Sequence, residues 1–209
     1  MSFKGEGRDN KVYAIIAIFI IVVIILGFFF SSNQIIKAYI EDDNLGENWS
    51  EDLNERTSGS SSFGLEKWSS FTYRNNNLSY PAYISVSTFK TLFMMSEEDL
   101  LKETITTIIN ALRDGLQIDE DTKIQGERTI KNGHETKYII FDGNDTSKEP
   151  IEKIKIIGET WSCDDSGTSI ICIGFAQITD NLHNSTITNF NYWQNITSKD
   201  GLIYNIKCH

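Results

Sequence analysis

Apolar residues recur along this chain in three rhythms. Between residues 12 and 30 they form one unbroken run, "VYAIIAIFIIVVIILGFFF", with no charged side chain. Apart from Tyr13 and Gly27, every residue there is aliphatic or Phe. A helix of such residues, rising about 1.5 Å each, spans roughly the hydrocarbon core of a bilayer. A helix is expected because backbone groups in lipid must be satisfied within the segment. In "KWSSFTYRNNNLSYPAYISVSTFKTLFM" apolar and polar residues alternate, which predicts two or three short strands. The turn falls at Arg74–Asn77, and Pro81 marks an edge or a break. In "SEEDLLKETITTIINALRDG" the spacing becomes helical. Leu101, Ile105, Ile108 and Leu112 form one stripe, with Leu100 and Ile109 beside it. Ser96 with Asp99 makes a capping box, and Gly115 is the stop.

The remaining pattern is mostly β. "KIQGERTIKNGHETKYIIFDG" reads as a hairpin with strands at about 124–131 and 134–142, because Asn132-Gly133 is a strong two-residue turn signal. "EPIEKIKIIGETWSC" and "TSIICIGFAQI" make a second hairpin around "DDSG", with Ile154, Ile156, Ile170, Ile171, Ile173 and Phe175 supplying core. Ile187, Phe190, Trp193 and Ile196 then predict a short last helix. The fold class expected is α+β: a single N-terminal transmembrane helix, then a largely antiparallel sheet with two packed helices. The divisions expected are a cytoplasmic segment (1–11), the membrane helix (12–30), a polar acidic linker (31–66) and an extracytoplasmic domain (67–209). The linker is read from "EDDNLGENWSEDLNERTSGSSSFG", which has no apolar period.

Charge gives the apolar segment a direction. Lys4, Arg8 and Lys11 precede it, whereas Lys37 and the acids Glu41, Asp42 and Asp43 follow. Basic flanks stay on the cytoplasmic side, so the C-terminal domain is expected outside. A buried core helix would not need so long an apolar surface. A cleaved signal peptide would have a shorter apolar run and small residues at its end, where this chain has Phe28, Phe29 and Phe30. A pilin-type leader would put Lys4-Gly5 directly before the apolar run. No Cys follows the segment to carry a lipoprotein anchor.

The net charge is −10. Residues 1–11 carry +1, so the rest carries −11. That excludes a basic nucleic-acid-binding surface and a domain lying flat on anionic lipid. The partners expected are the bilayer, through residues 12–30, and a protein.

The chemistry-bearing residues are sparse. Asn-x-Ser/Thr triplets at Asn48, Asn77, Asn144, Asn184 and Asn195 all follow the apolar segment, where glycosylation is possible. Cys163, Cys172 and Cys208 permit one disulfide of undetermined pairing or three buried thiols. Cys163 and Cys172 are out of register for a simple cross-strand pair. No Cys-x-x-Cys pair marks a zinc ribbon or redox site. His134 reads as an exposed turn residue and His183 as a loop residue. Cys208-His209 would need two more ligands to hold a metal. The acidic turns "DEDTK", "DGNDTS" and "CDDSG" lack the ligand order of a calcium loop and read as Asx turns. Trp161 reads as core, while Trp49 sits in the linker as a contact or interface residue. No nucleotide loop or nucleophile elbow occurs. The expectation is therefore a non-enzyme, with no catalytic, cofactor or metal residue.

"YRNNNLSYPAYISV" resembles the opening of PsbP-like domains, where a strand and a Ser-Tyr-Pro-like triplet precede the first core strand. The order that follows is similar too: a middle helix, a hairpin around "IKNGHETKYIIF", a long hairpin around "IICIGFAQI" and a last helix. The resemblance covers residues 68–205. It departs from the pattern after the Pro, where an aromatic such as Trp is usual and only Tyr83 is near. It implies a membrane-anchored adaptor or assembly domain of the kind found in methane-producing archaea, with no catalytic residues. Two other functions compete: an envelope hydrolase and a minor pilin-like subunit.

Overall fold

The computed structural model describes residues 35–61, 66–76, 81–91, 94–111, 116–178 and 190–209. The apolar segment 12–30 lies outside them. Among the described residues no helix is long and apolar enough to cross a membrane.

The described residues form eight strands and three α-helices, in order: α1 (Asp42–Leu45), β1 (Trp49–Glu51), β2 (Thr57–Ser61), β3 (Glu66–Asn75), β4 (Ala82–Lys90), α2 (Glu97–Ala111), β5 (Leu116–Thr129), β6 (Glu135–Asp145), β7 (Glu152–Cys163), β8 (Thr168–Ile178) and α3 (Phe190–Thr197). A 3-10 turn at Ile203–Asn205 comes last. The strands make one sheet in the order β1-β3-β4-β8-β7-β6-β5, with β2 also pairing β3, and every pairing is antiparallel. The α+β expectation holds for the described residues.

Both hairpins form where the sequence puts them. Cys163 pairs with Thr168 and Cys172 with Glu159, so the two cysteines are out of register. The first hairpin differs in its turn. Gly133 N donates to Ile130 O at 2.9 Å and Ile130 N to His134 O at 3.0 Å, leaving three loop residues rather than two. In this turn Gly133 takes a left-handed φ, +85°. A single left-handed residue suits a three-residue turn, whereas the two-residue type I′ turn needs two. Strand β5 also begins earlier, at Leu116, with a register shift between Asp119 and Ile124.

The sheet is covered on both sides, which explains why β7 and β8 are buried at most positions of both faces. On one face Ile108 of α2 packs with Ile139, Phe141, Ile154, Ile156 and Phe175. On the other, Tyr192 and Ile196 of α3 join Ile84, Val86, Ile157, Trp161 and Ile170. Two glycines at adjacent register positions let the helices approach. A Cβ on Gly158 would sit 2.4 Å from Thr104 Cγ2, and one on Gly174 2.7 Å from Ile196 Cγ2. The α2 start is as expected: Ser96 Oγ accepts from Asp99 N at 3.2 Å. Its most buried line is Leu100, Thr104 and Ile108, and Ile109 is exposed.

The linker expected over 31–66 is corrected for its described part. Ala38, Ile40, Leu45 and Trp49 are all buried in the same core as α3. Trp49, expected as a contact or interface residue, is 6% exposed. Strands β1 and β2 line the outer edge of β3. The segment lacks an apolar period because it is mostly irregular and pinned residue by residue. Ala38 N donates to Thr88 Oγ1 at 2.8 Å, and Ile40 N to Tyr73 Oη at 2.9 Å. Burial pushes the Tyr73 phenol up to about 12. Tyr39 then pairs antiparallel with Lys207, joining the two ends of the domain.

Candidate metal centre

Three separate parts of the fold converge at the end of β7. His134 follows the β5–β6 turn. Cys163 is the last residue of β7, on the face that carries Trp161 and α3. Cys208 and His209 come directly after Lys207, whose N–H donates to Tyr39 O at 2.8 Å. The β5–β6 turn grips the chain just before them. Lys131 N donates to Tyr204 O at 3.1 Å, and Asn132 Nδ2 to Ile206 O at 3.3 Å.

The result is a cluster of two sulfurs and two imidazoles whose ligand atoms all lie within 4.8 Å of one another. Cys208 Sγ is 3.2 Å from His134 Nε2 and 3.6 Å from His209 Nδ1. Cys163 Sγ is 3.4 Å from His209 Nδ1. The two rings meet edge to face at 5.3 Å. Both cysteines are buried, His134 is half-buried and His209 is exposed. Outer groups hold the donors. His209 Nε2 faces Asp165 Oδ2 at 3.7 Å, and Asn132 Nδ2 donates to Cys208 Sγ at 3.5 Å. Burial raises the Cys208 thiol to about 12, with Cys163 as a second cause. Burial lowers the His134 imidazole, and the neighbouring His209 adds to the effect.

Sequence reasoning expected no metal ligand here and took His134 for an exposed turn residue. The exposure is corrected: His134 packs against Cys208. The legible signal was the Cys208-His209 pair. Its partners were invisible because His134 is 74 positions from Cys208 and Cys163 is 45. Cys172 is buried too and has no part in the cluster. All three cysteines are free thiols, and Cys163 and Cys208 are the two that lie together.

A second polar cluster lies on the same face. Glu159, fully buried, takes a bidentate pair from Arg128, with Arg128 Nε 2.8 Å from Oε1. Thr136 Oγ1 donates to the same carboxylate at 2.5 Å. Arg128 Nη1 also donates to Thr197 O at the end of α3. Beside it opens a charged groove lined by Glu97, Glu127, Glu135 and Lys137, in which Lys137 pairs with Glu97 at 3.0 Å.

Among the sequons, Asn48, Asn144 and Asn195 are exposed, while Asn77 and Asn184 lie outside the described residues, as does His183. The acidic turns at Asp119 and Asp145 behave as Asx turns: Asp119 Oδ1 accepts from Asp121 N, and Asp145 Oδ1 from Ser147 N. Comparison with protein-family models, curated proteins and solved structures finds no match for this chain.

Proposed function

We propose that this chain is a single-pass, membrane-anchored extracytoplasmic domain that works without catalysis, in binding, assembly or organisation of the cell envelope. The observation that carries this reading is how soon the fold begins after the apolar run. That run ends at Phe30, and Ala38 is already in the core. Eight residues reach at most about 29 Å when fully extended. A domain so tethered stays at the bilayer surface, in reach of partners in the same membrane. Its acidity suits a soluble surface that is repelled by anionic lipid. The buried carboxylate of the second cluster already has its counter-charge in Arg128, which fits a structural role better than an acid–base one. The resemblance to PsbP-like domains, through the order of strands and helices, supports an adaptor or assembly role.

The test is an intact mass of the protein taken from washed membranes of the cells that make it. The expected result is the full chain, retained in the membrane after an alkaline carbonate wash, with glycan mass on the exposed sequons. A soluble product lacking about the first 30 residues overturns the anchor. A full chain that ends on the cytoplasmic side, shown by an impermeant lysine reagent failing to label intact cells, overturns the topology.

A further inference from the structure

We propose that His134, Cys163, Cys208 and His209 form a tetrahedral zinc(II) site that fastens the C-terminal segment to the sheet. The inference stands apart from the membrane reading, since it rests only on the folded domain. Its first support is distance. In a tetrahedral centre with Zn–S of about 2.3 Å and Zn–N of about 2.0–2.1 Å, neighbouring S and N donors sit roughly 3.5 Å apart. Three of the four sulfur–nitrogen separations here are 3.2, 3.4 and 3.6 Å, and no two of the donor atoms lie more than 4.8 Å apart. All four donors thus lie where one ion can touch them with small side-chain adjustments.

The second support is the donor chemistry. Two thiolates and two imidazoles form a borderline-soft set that suits zinc and offers nothing to calcium or magnesium. Binding displaces one proton from each thiol, and a zinc–thiolate bond replaces each S–H bond. The dication and two thiolates then sum to zero, so the centre is neutral in a place where both cysteines are buried. Four protein donors close the coordination shell, which marks a structural rather than a catalytic site.

The third support is the surrounding shell. Ligating histidines usually present their other ring nitrogen to a carboxylate, as His209 does to Asp165. The Asn132 amide that donates to Cys208 Sγ stabilises a thiolate in the same way. The joints this ion would make are long-range. It would link the β5–β6 turn, the end of β7 and the segment that pairs with Tyr39 at the start of the domain. A disulfide between Cys163 and Cys208 is the chemical rival, but it would leave both histidines idle and needs an oxidant.

The experiment uses the full chain in detergent, prepared under reducing, oxygen-free conditions and titrated with zinc(II) or cobalt(II). The expected result is one zinc per chain surviving gel filtration, two protons released per ion, and a cobalt spectrum with thiolate charge-transfer and intense tetrahedral bands. Cys208→Ser and His134→Asn should each weaken zinc binding by more than the ~10–100-fold expected for the outer-shell change Asp165→Asn. Cys172→Ser should leave it unchanged. Should the buried variants fail to fold, His209→Asn at the exposed donor decides the matter by the same loss of affinity. The proposal is overturned by substoichiometric zinc, by an octahedral cobalt spectrum, by full affinity in His209→Asn, or by a Cys163–Cys208 disulfide in the protein as isolated without oxygen.

Discussion

Two polar clusters sit on the same face of this sheet, and they solve the problem of burial in opposite ways. The Arg128–Glu159–Thr136 cluster carries both signs of charge. The carboxylate, wholly buried, meets a guanidinium and a hydroxyl, and the guanidinium also meets a helix-end carbonyl. The His134–Cys163–Cys208–His209 cluster holds only electron-pair donors once its thiols are deprotonated. The first is complete within the chain. The second becomes complete by binding a cation. The difference teaches where to look for ligands: not at the most charged spot, but where like donors converge without an opposite charge.

The largest effect is expected from breaking the complete cluster. Arg128→Ala leaves Glu159 buried and uncompensated, which costs about 3–5 kcal/mol. The check is urea unfolding of the domain. The paired replacement Arg128→Met with Glu159→Leu should recover most of that loss, because it removes the charges together. If the double variant is no better than the single one, the pair is doing more than balancing charge.

The next effect sharpens the other half of the comparison. Zinc at 100 times its dissociation constant should stabilise the fold by about 2.7 kcal/mol, and a chelator should remove that gain. Thermal unfolding with and without zinc measures it. Arg128→Ala should leave the zinc-dependent increment intact, whereas Cys208→Ser should abolish it. A chelator effect that vanishes in Arg128→Ala but not in Cys208→Ser would reverse the assignment of the two clusters.

The smallest effect tests how the metal-site segment is held from its far side. Tyr73→Phe removes the acceptor for Ile40 N, leaving a buried donor unpaired at a cost of about 1–3 kcal/mol. It should also weaken zinc binding, because Tyr39 and Lys207 pair beside the same segment. The pH dependence follows from the phenol. Its pKa is about 12 in the fold against 10.0 unperturbed, so the unfolded chain loses the proton first. The stability it contributes is present below pH 10 and falls as pH rises through 10 to about 12. Tyr73→Phe should flatten that alkaline loss, which unfolding measured at pH 8 and pH 11 would show.

The sequence by itself determined the local elements. Alternation in "KIQGERTIKNGHETKYIIFDG", the apolar run in "TSIICIGFAQI", the Ser96–Asp99 cap and the stripe through Leu101, Ile105 and Ile108 each act within a dozen residues. Local backbone preference and one buried face are enough to fix them. The unbroken apolar run at 12–30 is legible for the same reason. Tertiary structure decided the rest. It set β4 beside β8 rather than beside β5, and it drew Ala38, Ile40 and Trp49 into the core although no period marks them. It also brought His134 and Cys163 to Cys208 and His209. Such contacts repay the entropy of closing long loops only when the whole sheet is assembled. No spacing rule along the chain encodes them, which is why the pair at 208–209 was visible and the centre it belongs to was not.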